Sequence, residues 1–240
     1  MYDRLASMFN RHWSFWGGAD CWPAIINRAM SHTGGGKWLD VCCGTGHLLQ
    51  MITIAGFEAT GLDLSEEVLD YAQLNAPGVK LVEGNAKKIR VFENYNVISC
   101  MGASINLFKS EDSLRKVLTS MTKYLNEGGI IIFDASTREG MVCNVDREFH
   151  FNDDKGDYIA KVHFDHELNQ GEWHIKATYK NSQSSHHNMK CVEKLRPWEI
   201  DELHPVLSEF ELTFDTMDAD SLEEVDEDTV RVVYFCTKDA

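Results

Sequence analysis

Between residues 37 and 135 short apolar runs recur, separated by stretches with helical periodicity. The runs KWLDVCC (37–43), FEATGLDL (57–64), VKLVEG (79–84), NVISCM (96–101) and GIIIFDA (129–135) read as strands. They are apolar almost throughout, the pattern of strands buried on both faces of a parallel sheet. HLLQMITIAG (47–56) reads as a helix that stops at Gly56. SEEVLDYAQLN (65–75) opens on Ser65 as an N-cap, with Glu66 and Glu67 in the first turn, where the helix dipole favours negative charge. EDSLRKVLTSMTKYLNEGG (111–129) lays Leu114, Val117, Leu118, Met121 and Leu125 on one face, and Gly128 and Gly129 end it.

After Asp134 the period changes. REFHFN (147–152), DYIAKVHFDHEL (157–168), GEWHIKATYK (171–180) and HHNMKCVEKL (186–195) follow one another without helices. Tyr158, Ala160, Val162 and Phe164 share one face of the second run, and Trp173, Ile175, Ala177 and Tyr179 one face of the third. This alternation predicts an antiparallel meander. RPWEIDELHPVLSEF (196–210) then reads as a helix with Pro197 near its start and a possible break at Pro205. FELTFDTM (210–217) and TVRVVYFCTK (229–238) form a last strand pair, joined by an acidic stretch.

A chain of 240 residues with 43% hydrophobic content can bury one sizeable core. No apolar run approaches the roughly 20 residues that span a bilayer, and the N-terminus lacks the apolar centre of a secretory signal. A net charge of -15 argues against nucleic acid and anionic membranes as partners. The seven cysteines form no Cys-x-x-Cys pair, and several lie in apolar runs, so they read as buried, reduced thiols of a cytoplasmic protein.

The first strand runs into Gly44, Thr45 and Gly46 and then a helix, KWLDVCCGTGHLLQM. Glycines there let a ligand approach the backbone, and the helix start offers free amide donors. A dinucleotide loop wants a third glycine where this chain has Leu49, and no Gly-Lys-Ser/Thr of a phosphate loop follows. Asp40 ends the first strand, where a carboxylate suits a ligand with an ammonium group. Asp63 ends the second, where an acid takes the hydroxyls of an adenosine ribose. The turns after strands three and four bring Asn85, Ala86, Met101 and Gly102 to the same end of the sheet.

LDVCCGTGHL, GLDLS, EGNA and LNEGGIIIFD together resemble the motifs of the class I S-adenosylmethionine-dependent methyltransferases. YDRLA, GASINLF and the meander are similar to a small-molecule subgroup that includes the sugar-amine N,N-dimethyltransferases of antibiotic pathways. The resemblance implies an α/β fold: a Rossmann-like, doubly wound seven-stranded sheet with its last strand antiparallel, and a β-meander inserted over the active-site end. It divides the chain into an N-terminal helical lid (1–36), a cofactor domain (37–137 and 196–240) and a substrate-capping subdomain (138–195).

The resemblance also implies the cofactor, S-adenosylmethionine, and its product, S-adenosylhomocysteine. Gly44, Thr45 and Gly46 would wrap the methionine part, and Asp63 would hold the ribose. Leu64, Asn85 and Ala86 would flank the adenine. Met101 and Gly102 would lie under the cofactor, and Tyr2 would approach the sulfonium from the lid. In this family an Asp often stands where this chain has Asn85.

Cys42 and Cys43, adjacent on a strand, should point to opposite faces, which disfavours a shared metal or a disulfide. No metal is expected. His150, His163, His174 and His187 in the meander are candidates for a base that takes the acceptor's proton. The aromatic N-terminus (Phe9, Trp13, Phe15, Trp16, Trp22) reads as a packed helix or a lid, able to bend at Gly17 and Gly18. The acidic loop 218–228 should sit on the ligand side and draw cations. The expected activity is N- or O-methylation of a small molecule, neutral or cationic. The alternatives are an NAD-dependent oxidoreductase and a non-catalytic binder of the methyl donor.

Overall fold

The computed structural model describes residues 2–17, 19–152, 156–180 and 186–238. Helices α1 (Tyr2–Arg11), α2 (Trp13–Gly17) and α3 (Trp22–Thr33) come first. Strands and helices then alternate: β1 (Lys37–Val41), α4 (His47–Ile54), β2 (Glu58–Asp63), α5 (Glu66–Asn75), β3 (Lys80–Glu83), β4 (Tyr95–Cys100), α6 (Glu111–Thr122) and β5 (Leu125–Ser136). A short helix, α7 (Arg138–Val142), leads into β6 (Glu148–Asn152), β7 (Gly156–Asp165), β8 (Gln170–Lys180) and β9 (His186–Leu195). The elements α8 (Ile200–Ser208), β10 (Leu212–Asp218) and β11 (Arg231–Lys238) follow.

Seven strands form one sheet in the order β10-β11-β5-β4-β1-β2-β3. β1 pairs parallel with β2 and β4, β2 with β3, and β4 with β5. β11 runs antiparallel to both β5 and β10, so β10 points the same way as the parallel strands. The order reverses between β1 and β4, and ligands of open α/β sheets bind beyond the carboxyl ends of strands at such a reversal.

Both faces of this sheet are covered, which explains the unbroken apolar strands. One core joins Leu39, Ile98 and Phe133 to α6 and α8; the other joins Trp38, Val97 and Ile132 to α3, α4 and α5. The meander forms a separate four-stranded antiparallel sheet, β6-β7-β8-β9. Its inner face packs Tyr158, Ala160, Ile175 and Ala177 against Leu5 and Met8 of α1.

One buried side chain clamps the two ends of this insertion. The Asn106 amide donates to the carbonyls of Ser136 (2.8 Å) and Arg196 (2.7 Å), and its own oxygen accepts the Ser136 amide (2.9 Å).

Two helices differ from the expected lengths. α6 stops at Thr122, because the Tyr124 carbonyl is taken by the Tyr95 amide and Leu125 already pairs with Tyr95 in the sheet. The left-handed Gly128 (φ +68°) then lets β5 re-register on β4. α8 begins at Ile200, since the amides of Arg196 and Trp198 are spent on the carbonyls of Asn106 and Ser136. Glu199 and Glu202 form a capping box there, and the helix continues through Pro205.

Candidate active site

β1 ends at Val41, and Cys42 turns the chain with a left-handed φ of +59°. The strand therefore stops before the paired cysteines, which were expected on it. Cys43 packs into the core beside Leu49, and its Sγ lies 2.9 Å from where a Cβ on Gly61 would stand. Gly44 and Gly46 both have positive φ (+55° and +81°), and α4 starts immediately after them.

The carboxyl ends of β1 to β5 open into a cavity of about 750 Å³. Asp40, Gly44, Thr45, Gly46, Asp63, Leu64, Asn85, Ala86, Met101 and Gly102 all line it. These ten residues come from four turns and are brought together by the strand order alone. The Tyr2 side chain, and Gly18 of the expected hinge, lie outside the described residues.

Asp63 organises the loop. Its Oδ2 accepts the Gly44 amide at 3.0 Å and its Oδ1 the Ser65 amide at 3.1 Å. Leu64 beside it is 68% exposed, an apolar surface at the cavity. Asn85 caps the next turn by accepting the Lys87 amide at 2.9 Å through Oδ1, which leaves its amide group as the donor available to a ligand.

Asp40 is buried at the floor. Its Oδ1 accepts from Ser99 Oγ at 2.6 Å, and that hydroxyl in turn accepts from Trp38 Nε1 at 2.7 Å. Burial pushes the Asp40 carboxyl up to about 7, the Ser99 hydrogen bond partly opposing it. Asp134, at the end of β5, is also buried and raised for the same reason. Its Oδ1 accepts the Ala103 amide at 2.9 Å, and its Oδ2 faces Arg231 Nη1 at 3.6 Å.

The N-terminal aromatics Phe9, Trp13, Phe15 and Trp22 also line the cavity. Trp13 is stacked between Trp22 (5.4 Å) and His47 (4.5 Å), which joins α2 to the first turn of α4. His47 Nδ1 lies 3.1 Å from Thr45 Oγ1, and burial pushes the imidazole down to about 4. Asn75 makes a second tie, donating to Asn10 Oδ1 (2.5 Å) on α1 and to the Thr45 carbonyl (2.7 Å). Position 47 was not singled out from the sequence. Its signal is placement at the first helical residue after the glycine loop.

None of the four meander histidines lines the cavity. His150 is exposed and near Glu148 (3.6 Å). His174 binds Glu172 at 2.8 Å on the face opposite Trp173 and Ile175, and His163 packs against His174 at 4.4 Å. His187 stacks on Tyr179 at 5.8 Å, towards the far end of the sheet. The meander instead presents Phe149, Trp173, Ile175, Glu193 and Leu195 to the cavity. Glu193 also escaped the sequence reading, although the pairing Trp173↔Glu193 places the two on one face. Asp220 of the acidic loop lines the cavity, since β10 runs parallel to β5. No group of three or more His, Cys, Asp or Glu suited to a metal occurs among the described residues.

Residues 39–129, from β1 into β5, match the family described as a methyltransferase domain. This stretch is similar to a methyltransferase domain. Over 234 residues the chain is 26% identical to a protein of Geobacillus sp. (strain WCH70) whose name carries a methyltransferase assignment, covering 91% of this chain and 92% of that one. A dTDP-3-amino-3,4,6-trideoxy-alpha-D-glucopyranose N,N-dimethyltransferase of Streptomyces venezuelae is 29% identical over 96 residues, 40% of each chain. That match spans less than half of the Streptomyces protein. Among solved structures, an S-adenosylmethionine-dependent methyltransferase from Clostridium acetobutylicum ATCC 824 has the same fold, with a TM-score of 0.81 at 20% identity, over 100% of this chain and 99% of that one. The matched stretch thus supplies the glycine loop, Asp63 and the turns after β3 and β4, while the roof comes from outside the matched residues.

The residues present fit an adenosyl methyl donor. A Cβ built on Gly44 would meet nothing within 4 Å, so this loop position stands open. Leu64 offers an apolar face, and Asp63 and Asn85 offer an acceptor and a donor at the cavity wall.

Proposed function

We propose that the protein is an S-adenosylmethionine-dependent methyltransferase that acts on a small-molecule nitrogen or oxygen. The observation that carries this is Asp63, held against the Gly44 amide at 3.0 Å at the mouth of a cavity roofed by a second sheet. When bound, S-adenosylmethionine supplies a methyl group already activated by the positive sulfonium.

The chain's own work is then alignment and exclusion of water. Asp63 takes the ribose hydroxyls, Leu64 covers one face of the adenine, and Asn85 donates to a purine nitrogen. The glycine loop leaves room for the amino-acid tail, and Asp40, whose carboxyl is raised to about 7, supplies negative charge opposite the ammonium group once it is ionised. Residues 1–36 act as the lid and 138–195 as the substrate cap, with Tyr2 approaching the sulfonium. Such positioning supplies roughly 7–11 kcal/mol of barrier reduction. Proton removal falls to groups other than the meander histidines. An amine acceptor needs little such help, and a hydroxyl acceptor would gain about 10²–10⁴ in rate from a base. The reading includes a cytoplasmic location, supported by cysteines lodged in apolar strands.

The test is methyl transfer. The full chain is incubated with the donor and a panel of small amines and alcohols, and S-adenosylhomocysteine formation is measured. Acceptor-dependent product supports the reading. Binding of the donor with no transfer to any acceptor would favour a non-catalytic binder.

A further inference from the structure

Beyond the turns assigned to the cofactor, the cavity walls are aromatic and acidic. Phe149 and Trp173 of the roof lie 5.6 Å apart, and Phe15 of the lid meets them at 4.9 and 6.1 Å. Glu193 sits directly across from Trp173 in the β8/β9 register, with both side chains on the cavity face. An indole face beside a carboxylate is a site for an organic cation, which gains from the ring quadrupole and from a charge-assisted hydrogen bond.

Among the described residues the wall carries two Lys or Arg side chains, Arg231 and Lys87, each with contacts of its own. Arg231 faces Asp134 at 3.6 Å and Asp220 at 3.8 Å. Lys87 follows the adenine turn, donating to Ser113 at 3.3 Å and lying over Phe108 at 5.8 Å. A nucleotide-linked sugar, the acceptor in the Streptomyces relative's name, carries two phosphates and would need cations where this wall holds Glu193 and Asp220.

We infer that the acceptor is a small amine on an apolar skeleton, recognised as the ammonium between Trp173 and Glu193 and losing one proton to water before its nitrogen lone pair attacks the methyl carbon, and that phosphate-bearing acceptors are rejected. This rests on the methyltransferase reading and names the acceptor class for the same cavity. The relatives' acceptor chemistry therefore does not transfer intact: the amine is kept and the nucleotide is lost.

The experiment is calorimetry on the full chain saturated with S-adenosylhomocysteine. The probes are phenethylamine, its neutral counterpart phenethyl alcohol, and thymidine diphosphate. Phenethylamine is expected to bind about tenfold or more tightly than the alcohol, with no binding of thymidine diphosphate. Glu193→Gln should bring the amine to the level of the alcohol and leave S-adenosylhomocysteine affinity unchanged. Trp173→Leu should weaken the amine as well. Equal binding of amine and alcohol, binding of thymidine diphosphate as tight as the amine, amine binding that ignores Glu193→Gln, or no binding of any probe would each overturn the inference. Failure of S-adenosylhomocysteine itself to bind is a separate result, and it would remove the methyltransferase reading together with this inference.

Discussion

Asp63 Oδ2 accepts the Gly44 amide at 3.0 Å, so one carboxylate ties the end of β2 to the glycine loop after β1. The same group is placed to take a ribose. Asp63→Ala is therefore expected to lower S-adenosylhomocysteine affinity by about tenfold or more, since hydrogen bonds to a charged group contribute about 1.5–3 kcal/mol. Calorimetry on the purified variant measures this. Affinity equal to that of the unaltered chain would remove the ribose assignment.

The two loop glycines should respond differently to a methyl group. A Cβ on Gly46 would stand 2.8 Å from Ala72 Cα of α5, whereas one on Gly44 would meet nothing within 4 Å. Both alanine variants pay about 1–2 kcal/mol for a positive φ, and Gly46→Ala adds about 1–3 kcal/mol of overpacking. Thermal melts are expected to show the larger loss for Gly46→Ala. A larger loss for Gly44→Ala would contradict the packing described.

Asp40 gives the stability a pH dependence. Its carboxyl is raised from 3.8 to about 7, so within that window the folded chain holds a proton that the unfolded chain has released. Stability contributed by this group is thus greatest at low pH and is lost as pH rises from about 4 through about 7. Asp40→Asn should flatten this part of the profile. Urea titrations of both proteins across that range check it, and parallel profiles would refute the assignment.

Asn106 joins Ser136 to Arg196 through three hydrogen bonds in a fully buried setting. Asn106→Ala removes three hydrogen bonds and leaves the Ser136 amide and the Arg196 carbonyl without this partner, while the Ser136 carbonyl keeps the Trp198 amide, at a cost of about 1–3 kcal/mol for each group left unpaired. A total loss of about 3 kcal/mol is expected in urea denaturation, with the roof sheet loosened. A loss under about 1 kcal/mol would show that the insertion is anchored otherwise.

The parallel strands were legible because burial on both faces leaves no polar alternation, as in Ile130, Ile131, Ile132 and Phe133. The cofactor-side residues were legible because a Rossmann-like order carries every βα turn to one end. The roof was half legible. The phase that turns Trp173 and Ile175 inward also turns His174 outward, so the strand pattern itself argued against that histidine. Glu193 needed the β8/β9 register, and His47 needed the stack with Trp13, which joins residues 34 positions apart through contacts no local pattern encodes. The ends of α6 and α8 were set by hydrogen bonds from Tyr95 and to Asn106 and Ser136, all remote in sequence.

The central claim is that the cavity beyond β1 and β2 holds an adenosyl methyl donor. Calorimetric titration of the full chain with S-adenosylhomocysteine, beside a parallel titration with NADH, tests it most directly. Saturable one-to-one binding of S-adenosylhomocysteine with none of NADH is the predicted result; no binding of S-adenosylhomocysteine, or preference for NADH, would contradict it.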